Sequence, residues 1–405
     1  MIVRNPTPSE VDACAETAAK AFPNLSLEHW YGSFRMVAEV FGERFILMVE
    51  DEGKIASTLI CQPAPVYING GLITHSSTGA VATLPESRCR GCAGAMMAEC
   101  VRVLNEEGIY LSSLWPFSYE YYRKFGWEIG SEIRLYSGEA KVFAPLGDPG
   151  KARGAVEGDL ALVIPIFDAY AQSYNCLTQR SQTWWNRVIK INEPLKLATQ
   201  PEDGRGVIIH ETDGEADGYI IYEVGVNEEK KFFSIKEIVF FESEHRRDML
   251  SFLAALDPEA SINFNAPYDD LFLQELPNPR VINSTINASF QFRVTDPERA
   301  MEALVVDDEV TGKLTFALTD PVFTNGFEFG IEVEGGKISV CAPDPKNRLE
   351  TDIRIFARLY SGYLNAFDAC ELGKLKVTGN ATEVLMTACE VFSPLTPYRS
   401  WLEPG

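Results

Sequence analysis

The chain reads as an α/β protein that ends in an α+β layer. Two mixed sheets with flanking helices are expected over residues 1–145 and 146–285, followed by a sheet with packed helices over 286–405. Three observations predict this. The chain has 405 residues, more than one compact core organises, so two to three domains are expected. Residues 1–145 run helix, helix, strands, helix, strand, and 146–285 repeat that order less clearly. In the last region apolar residues alternate with a period of two before helical spacing returns.

In the first region Thr7-Pro8-Ser9-Glu10 has the form of a capping box with proline at the first helical position. The helix it opens is expected to bury Val11, Ala15, Ala18 and Phe22. Ser26 opens a second helix that runs through Trp30 and Phe34 to Phe41. Residues 45–49 and 55–60 are strands joined by the turn Asp51-Glu52-Gly53-Lys54, and Asn69-Gly70-Gly71 marks a second hairpin. Another strand covers 77–83. In the second region helical spacing appears near 161–174 and 182–190. Strands are expected at 195–199, 206–210, 218–224 and 232–241, then a helix at 244–256. Two such halves would let one continuous curved sheet form across a pseudo-repeat. In the third region Leu314, Phe316 and Leu318 alternate, as do Phe327, Phe329, Ile331 and Val333 before the turn Glu334-Gly335-Gly336-Lys337. These predict antiparallel strands with one buried face, followed by helices at 351–360 and 381–392.

Composition excludes several functions. Hydrophobic residues make up 46% and charged residues 23%, the balance of an ordinary globular protein. No apolar run approaches the roughly eighteen residues that cross a bilayer, so no membrane partner is expected. The N-terminus turns polar after three residues, unlike a secretory signal, and a cytoplasmic protein is expected. Nine scattered cysteines are an odd number and no disulfide framework. Four histidines without an HExxH or paired CxxC pattern give no expectation of a catalytic metal. The net charge of −22 leaves no basic face for nucleic acid. That acidity either keeps the chain soluble or steers cationic ligands inward.

Residues 79–94 read as a strand, a turn and a helix start. Ala93, Met96, Met97, Cys100, Val101 and Leu104 then share one helical face, and Gly108 ends the helix. Arg88, Arg90 and the small residues Gly91, Ala93 and Gly94 therefore sit at a helix N-terminus. Its first N–H groups lack partners and the macrodipole adds positive potential, which suits a pyrophosphate. An ordinary helix start with solvated arginines fits the spacing equally well. Cys89 and Cys92 spell CxxC there, where thiols acidify. No second ligand pair accompanies them, so Cys92 is expected to pack as a small apolar residue.

Arg88-x-x-Gly91-x-Ala93 after the Val81-Ala82-Thr83 strand resembles the [QR]-x-x-G-x-[GA] signature of the GNAT superfamily of acetyltransferases. That resemblance implies a coenzyme A pyrophosphate on the loop amides of Arg88, Cys89, Arg90, Gly91, Cys92, Ala93 and Gly94. It implies the pantetheine arm along Val81, Ala82 and Thr83, with Phe117 and Ser118 completing the cofactor set. Downstream, Tyr122-x-x-Phe125-Gly126-Trp127 is similar to the family segment that places a tyrosine hydroxyl near the thioester sulfur. A phenol with a pKa of about 10 stays protonated and can donate to a departing thiolate. Tyr119 and Tyr121 are close alternatives, and so is a plain packing role for all three aromatics.

Over its whole length the chain resembles the enhanced-intracellular-survival (Eis) family: tandem GNAT-like mixed sheets plus a C-terminal sterol-carrier-protein-like α+β domain. The second region lacks a glycine-rich loop, having Phe241-Glu242-Ser243-Glu244-His245-Arg246-Arg247 instead, so one acetyl-CoA per chain is implied. The resemblance also implies direct acetyl transfer to an amine of a cationic substrate (aminoglycoside, polyamine or lysine), and a homo-oligomer, a hexamer in the family. In that family the terminal carboxylate acts as base. Here the end runs past the usual position, so the Gly405 carboxylate, Glu403 or a water relay would serve. Direct proton abstraction by an α-carboxyl from an alkylammonium is uphill by roughly 9 kcal/mol, which calls for a relay or a dry pocket. The rival functions are a non-enzymatic acyl-CoA sensor and a lipid carrier.

Overall fold

The computed structural model describes residues 1–156, 158–188, 204–227, 230–392 and 395–403. The chain forms two compact units, Met1–Gly130 with Phe290–Pro394, and Ser131–Ser289 with Leu395–Glu403.

The first unit holds a seven-stranded sheet. Across it the order is Ile2–Arg4, Ile46–Asp51, Lys54–Pro63, His75–Thr83, Leu111–Leu114, Gln291–Val294 and Glu128–Ile129. The Thr7 capping box forms, but its first turn is a 3-10 turn, Pro8–Glu10, that leads into the helix Val11–Ala21. Val11, Ala15 and Ala18 are buried as expected. Phe22 is exposed instead: it stands at the C-cap, past the last helical turn, and lies against the Trp30 ring at 5.3 Å. Ser26 caps Leu27–Val40 by accepting from the His29 N–H. The helix Cys92–Glu106 buries Met96, Met97, Cys100, Val101 and Leu104 on the sheet.

The same unit contains a five-stranded sheet, in the order Lys337–Cys341, Phe327–Glu334, Gly312–Thr319, Arg348–Asp352 and Lys376–Thr378. Arg348–Asp352 pairs in parallel with Gly312–Thr319, so residues 351 and 352 finish a strand rather than open the helix. Asp352 caps Ile353–Tyr360 by accepting from the Arg354 and Ile355 N–H groups. Phe316 packs against Phe329, Phe356 and Phe392 at 5.4–5.9 Å, which closes a small core between this sheet and its helices.

The second unit holds another seven-stranded sheet. Its order is Ala152–Gly154, Gly204–Thr212, Glu215–Asn227, Lys230–Val239, Ser261–Pro267, Glu132–Glu139 and Asn283–Ala288. The strands thus form two separate sheets, not the single curved sheet the sequence suggested. Hydrophobic alternation fixes which face of a strand is buried, and leaves open which strand lies beside it. The helices Leu160–Ala171, Gln182–Val188 and Ser243–Leu256 flank this sheet. The strand expected at 195–199 lies outside the described residues. Segment 395–403 is tied into this unit through Arg180, whose buried guanidinium pairs with Glu237 at 2.5 Å and Glu403 at 2.8 Å. That guanidinium also lies over the Phe167 ring at 3.5 Å, and the Tyr219 hydroxyl donates to Glu237 at 2.7 Å.

Candidate active site

The strand His75–Thr83 pairs in parallel with Leu111–Leu114 only through His75, Ser76 and Ser77. Beyond Ser77 no strand among the described residues pairs on that side, so backbone groups of 78–83 border a wedge between the two strands. On the other side a bulge sets Ala80 and Val81 opposite Leu59 alone, and Ala80 takes a left-handed conformation, φ +52°. A bulge re-aims the strand by one residue. Ala82 is buried, Val81 and Thr83 are half-buried, and Ser57 holds the end by donating to the Ala82 carbonyl at 2.6 Å.

After a 3-10 turn at Pro85–Ser87 the chain passes Arg88, Cys89 (φ +60°), Arg90 and Gly91 (φ +87°) and enters the helix Cys92–Glu106. The left-handed Gly91 is its N-cap and carries no capping side chain. The first helical bond runs from the Ala95 N–H to the Gly91 carbonyl at 3.0 Å. The N–H groups of Cys92, Ala93 and Gly94 therefore have no acceptor within the helix. A Cβ at Gly91 would meet nothing within 4 Å, and one at Gly94 would touch the Phe125 ring at 3.6 Å.

The two arginines behave differently. Arg90 pairs with Asp51 at 2.9 Å and Glu52 at 3.2 Å, acids of the first hairpin turn. Arg88 is exposed, with no ion pair among the described residues. The free cation of the loop is thus Arg88, a distinction that sequence spacing could not draw. Cys89 is exposed and Cys92 is buried in the core beside Met96 and Cys100; both are free thiols.

Phe125 connects the loop to the tyrosines, because its ring lies 5.5 Å from Tyr121. Ser118 caps the short helix Tyr119–Arg123 by accepting from the Tyr121 N–H, and Phe117 before it is exposed. The Phe117 and Tyr121 rings both stand edge-on to Tyr122, at 5.3 and 5.2 Å. Tyr122 is 3% exposed and belongs to the same apolar cluster as Ala80 and Val81. Burial, with a smaller push from Tyr121, raises its phenol well above the ordinary value, so it stays protonated across the neutral range. The Tyr121 hydroxyl is also buried, and has no hydrogen-bond partner among the described residues. The sequence missed this orphan; three aromatics around one serine cap were its signal.

Trp30 and Phe34 are core residues, packed in the same cluster as Tyr122. The other suggested base, Glu403, has a fully buried carboxylate that takes Arg180 at 2.8 Å and the Thr178 N–H at 3.0 Å. It is a structural anion of the second unit. Gly405 lies outside the described residues. No described helix is long and apolar enough to cross a membrane.

Family comparisons agree with this layout. Residues 2–130 and 176–294 each match an acetyltransferase (GNAT) domain, and residues 297–400 match a sterol carrier protein domain. An uncharacterized N-acetyltransferase of Streptomyces griseus is 23% identical over 353 residues, covering 82% of either chain. Among solved structures, a GCN5-related N-acetyltransferase from Anabaena variabilis superposes with a TM-score of 0.82 at 18% identity, covering 98% of both chains. A conserved Enterococcus faecalis protein described as a probable N-acyltransferase gives 0.83 at 19%, also over 98% of both. Eis1 from Mycobacterium abscessus gives 0.76 at 18%, again over 98% of both.

Proposed function

We propose, for a chain that belongs to the GNAT superfamily of acetyltransferases and has the Eis-like order of two such domains and a sterol carrier protein domain, that it acetylates an amine of a cationic substrate directly from acetyl-CoA. The observation that carries this reading is the open run of helix-start amides at Cys92, Ala93 and Gly94 behind a left-handed glycine.

Acetyl-CoA supplies the activated acyl group, a thioester. The chain's residues do the rest by position and polarity. The amides of residues 89–94 and the Arg88 guanidinium hold the diphosphate; the Arg88 N–H is already given to the Pro85 carbonyl at 3.3 Å. The wedge beyond Ser77 admits the pantetheine arm along Val81, Ala82 and Thr83, flanked by Phe117 and Ser118. The Val81 N–H donates to the oxygen that gains charge as the amine attacks the thioester carbonyl. The new amide bond forms as the carbon–sulfur bond breaks, and Tyr122 gives its proton to the departing sulfur. The amine's proton leaves through the Gly405 carboxylate or through water. No cysteine nucleophile is needed, in keeping with the burial of Cys92.

A cationic acceptor (aminoglycoside, polyamine or lysine) matches the net charge of −22. The reading takes the protein as cytoplasmic and homo-oligomeric; light scattering on the purified chain tests the latter. The test of function is titration calorimetry with acetyl-CoA, paired with thiol release across aminoglycosides, polyamines and a lysine peptide. Release with at least one amine is expected. Binding without release from any amine would make the protein an acyl-CoA sensor. Neither binding nor release would overturn the reading. The aromatic core around Phe316 favours a packing role over lipid carriage for the last region.

A further inference from the structure

Two of the chain's four histidines meet in the second unit, among residues that take no part in the loop and tyrosines just described. His210 comes from the strand Gly204–Thr212, where a bulge lies between His210 and Glu211. Asp217 comes from the neighbouring strand Glu215–Asn227. His245 and Asp248 project from the first turns of the helix Ser243–Leu256, three residues apart and so on one face. The rings of His210 and His245 stack with centroids 4.4 Å apart and planes at 19°.

The wiring of His210 is unusual. Its side chain is 1% exposed, and both ring nitrogens face carboxylates: Nε2 lies 3.2 Å from Asp248 Oδ2, and Nδ1 lies 2.5 Å from Asp217 Oδ1. A neutral imidazole has one N–H to give. Asp248 is held in place facing Nε2, because its Oδ1 accepts from the Asp148 N–H at 2.6 Å. Nδ1 and Asp217 Oδ1, 2.5 Å apart, make a hydrogen bond whose proton a divalent ion would displace on taking both atoms as ligands. Asp217 Oδ2 is 3.6 Å from His245 Nε2, and one ligand atom from each of His210, Asp217 and His245 falls within 4.8 Å of the others.

We propose that His210 Nδ1, Asp217 and His245 form a site for one divalent transition-metal ion of the zinc type, with Asp248 as the outer carboxylate that orients His210. Two imidazoles and a carboxylate are a borderline donor set that suits zinc, cobalt or nickel rather than calcium or magnesium. Tetrahedral zinc at about 2.0–2.1 Å sets its ligand atoms roughly 3.3 Å apart. The contacts between ligand atoms that share Asp217 lie on either side of that value. The carboxylate–imidazole–metal series reproduces the outer hydrogen bond that keeps such a ligand in one tautomer. Asp217 and His245 are 24% and 15% exposed, so they can adjust and leave an entrance for the ion and a fourth, water ligand. Lys151 stands 3.9 Å from Asp248 and pairs with Glu244 at 2.5 Å, so beside it the carboxylates of Asp217, Asp248 and Glu244 are in excess.

The experiment uses the full chain, stripped with chelator and titrated with zinc, and with cobalt for its visible ligand-field bands. One equivalent of zinc per chain, tetrahedral cobalt bands and a higher Tm with zinc are expected. D217N and H245A, each shown to be folded by circular dichroism, should weaken binding about 100-fold or more, the scale on which even outer-shell losses act. H29A, at a histidine outside the cluster, should bind as the parent does. Substoichiometric metal in the parent would overturn the site, as would stoichiometric metal that survives both D217N and H245A. The reading does not depend on acetyl transfer.

Discussion

In the proposed reaction, Tyr122 is where a single atom decides the chemistry. Its phenol is buried and raised above the ordinary tyrosine value, so the protonated donor persists as pH rises. Y122F should lower kcat at least about 100-fold while acetyl-CoA affinity, measured by calorimetry, stays within a factor of two or so of the parent. The pH–rate profile should show no alkaline fall from this group below about pH 10; a fall centred near pH 8 that Y122F abolishes would refute the donor role. The family motif pointed to Tyr122 in the sequence and left Tyr119 and Tyr121 as close alternatives, since the start of the short helix is not spelled by local pattern. Gly126, in the same segment, has a different job. Its φ is +89°, and a Cβ there would stand 2.9 Å from the buried Arg293 guanidinium, itself paired with Asp320 at 2.5 Å. G126A should lower stability by about 1–3 kcal/mol, read as a drop in Tm. In the sequence this glycine read only as motif, because Arg293 stands far along the chain.

At the scale of the element, the loop and the helix it starts act as one device. Three amides without helical acceptors, a left-handed cap and one arginine outside any ion pair among the described residues are the proposed anion seat. G94A tests it selectively. The added methyl meets Phe125 at an ordinary 3.6 Å, and alanine is the better helix former, so Tm should hold or rise. The same methyl intrudes on the diphosphate, and the Kd for acetyl-CoA should increase about tenfold, roughly 1.4 kcal/mol; unchanged affinity would place the anion elsewhere. Helices such as Leu27–Val40 and Cys92–Glu106 were legible because their apolar spacing and caps are local. The pairing of Arg90 with Asp51 and Glu52 was not, since it joins a loop to a hairpin turn 38 or more residues earlier. The histidine–aspartate cluster escaped for the same reason: its members are scattered over two strands and a helix, and no short motif spells them.

For the whole molecule the informative feature is how the strands are shared out. Glu132–Glu139 belongs to the second unit's sheet, and Gln291–Val294 lies between Leu111–Leu114 and Glu128–Ile129 in the first. Local patterns placed every one of these segments or left them unassigned, and none could reveal their neighbours. A fragment ending at residue 145 would lack Gln291–Val294 and carry an unpartnered Glu132–Glu139. It should therefore run as aggregate in size-exclusion chromatography, where the full chain gives a discrete peak. The segment that ends at Glu403 is secured by a buried ionic cluster, and E403A leaves Arg180 with one carboxylate instead of two. A loss of about 3 kcal/mol is expected in denaturant unfolding. If Glu403 is structural, kcat at a temperature where the variant is folded should match the parent's; a collapse of kcat alone would restore it as a base.

The strand at Gln291–Val294 also bears on how the protein is made. The ribosome releases Leu111–Leu114 long before the partner that shields its edge. At a translation speed of about 5–20 residues per second, the gap of roughly 180 residues lasts on the order of ten seconds or more. Throughout that interval the nascent N-terminal half is an unfinished sheet, open to strangers, and its maturation in the cell depends on whatever keeps that rim covered until the missing strand emerges.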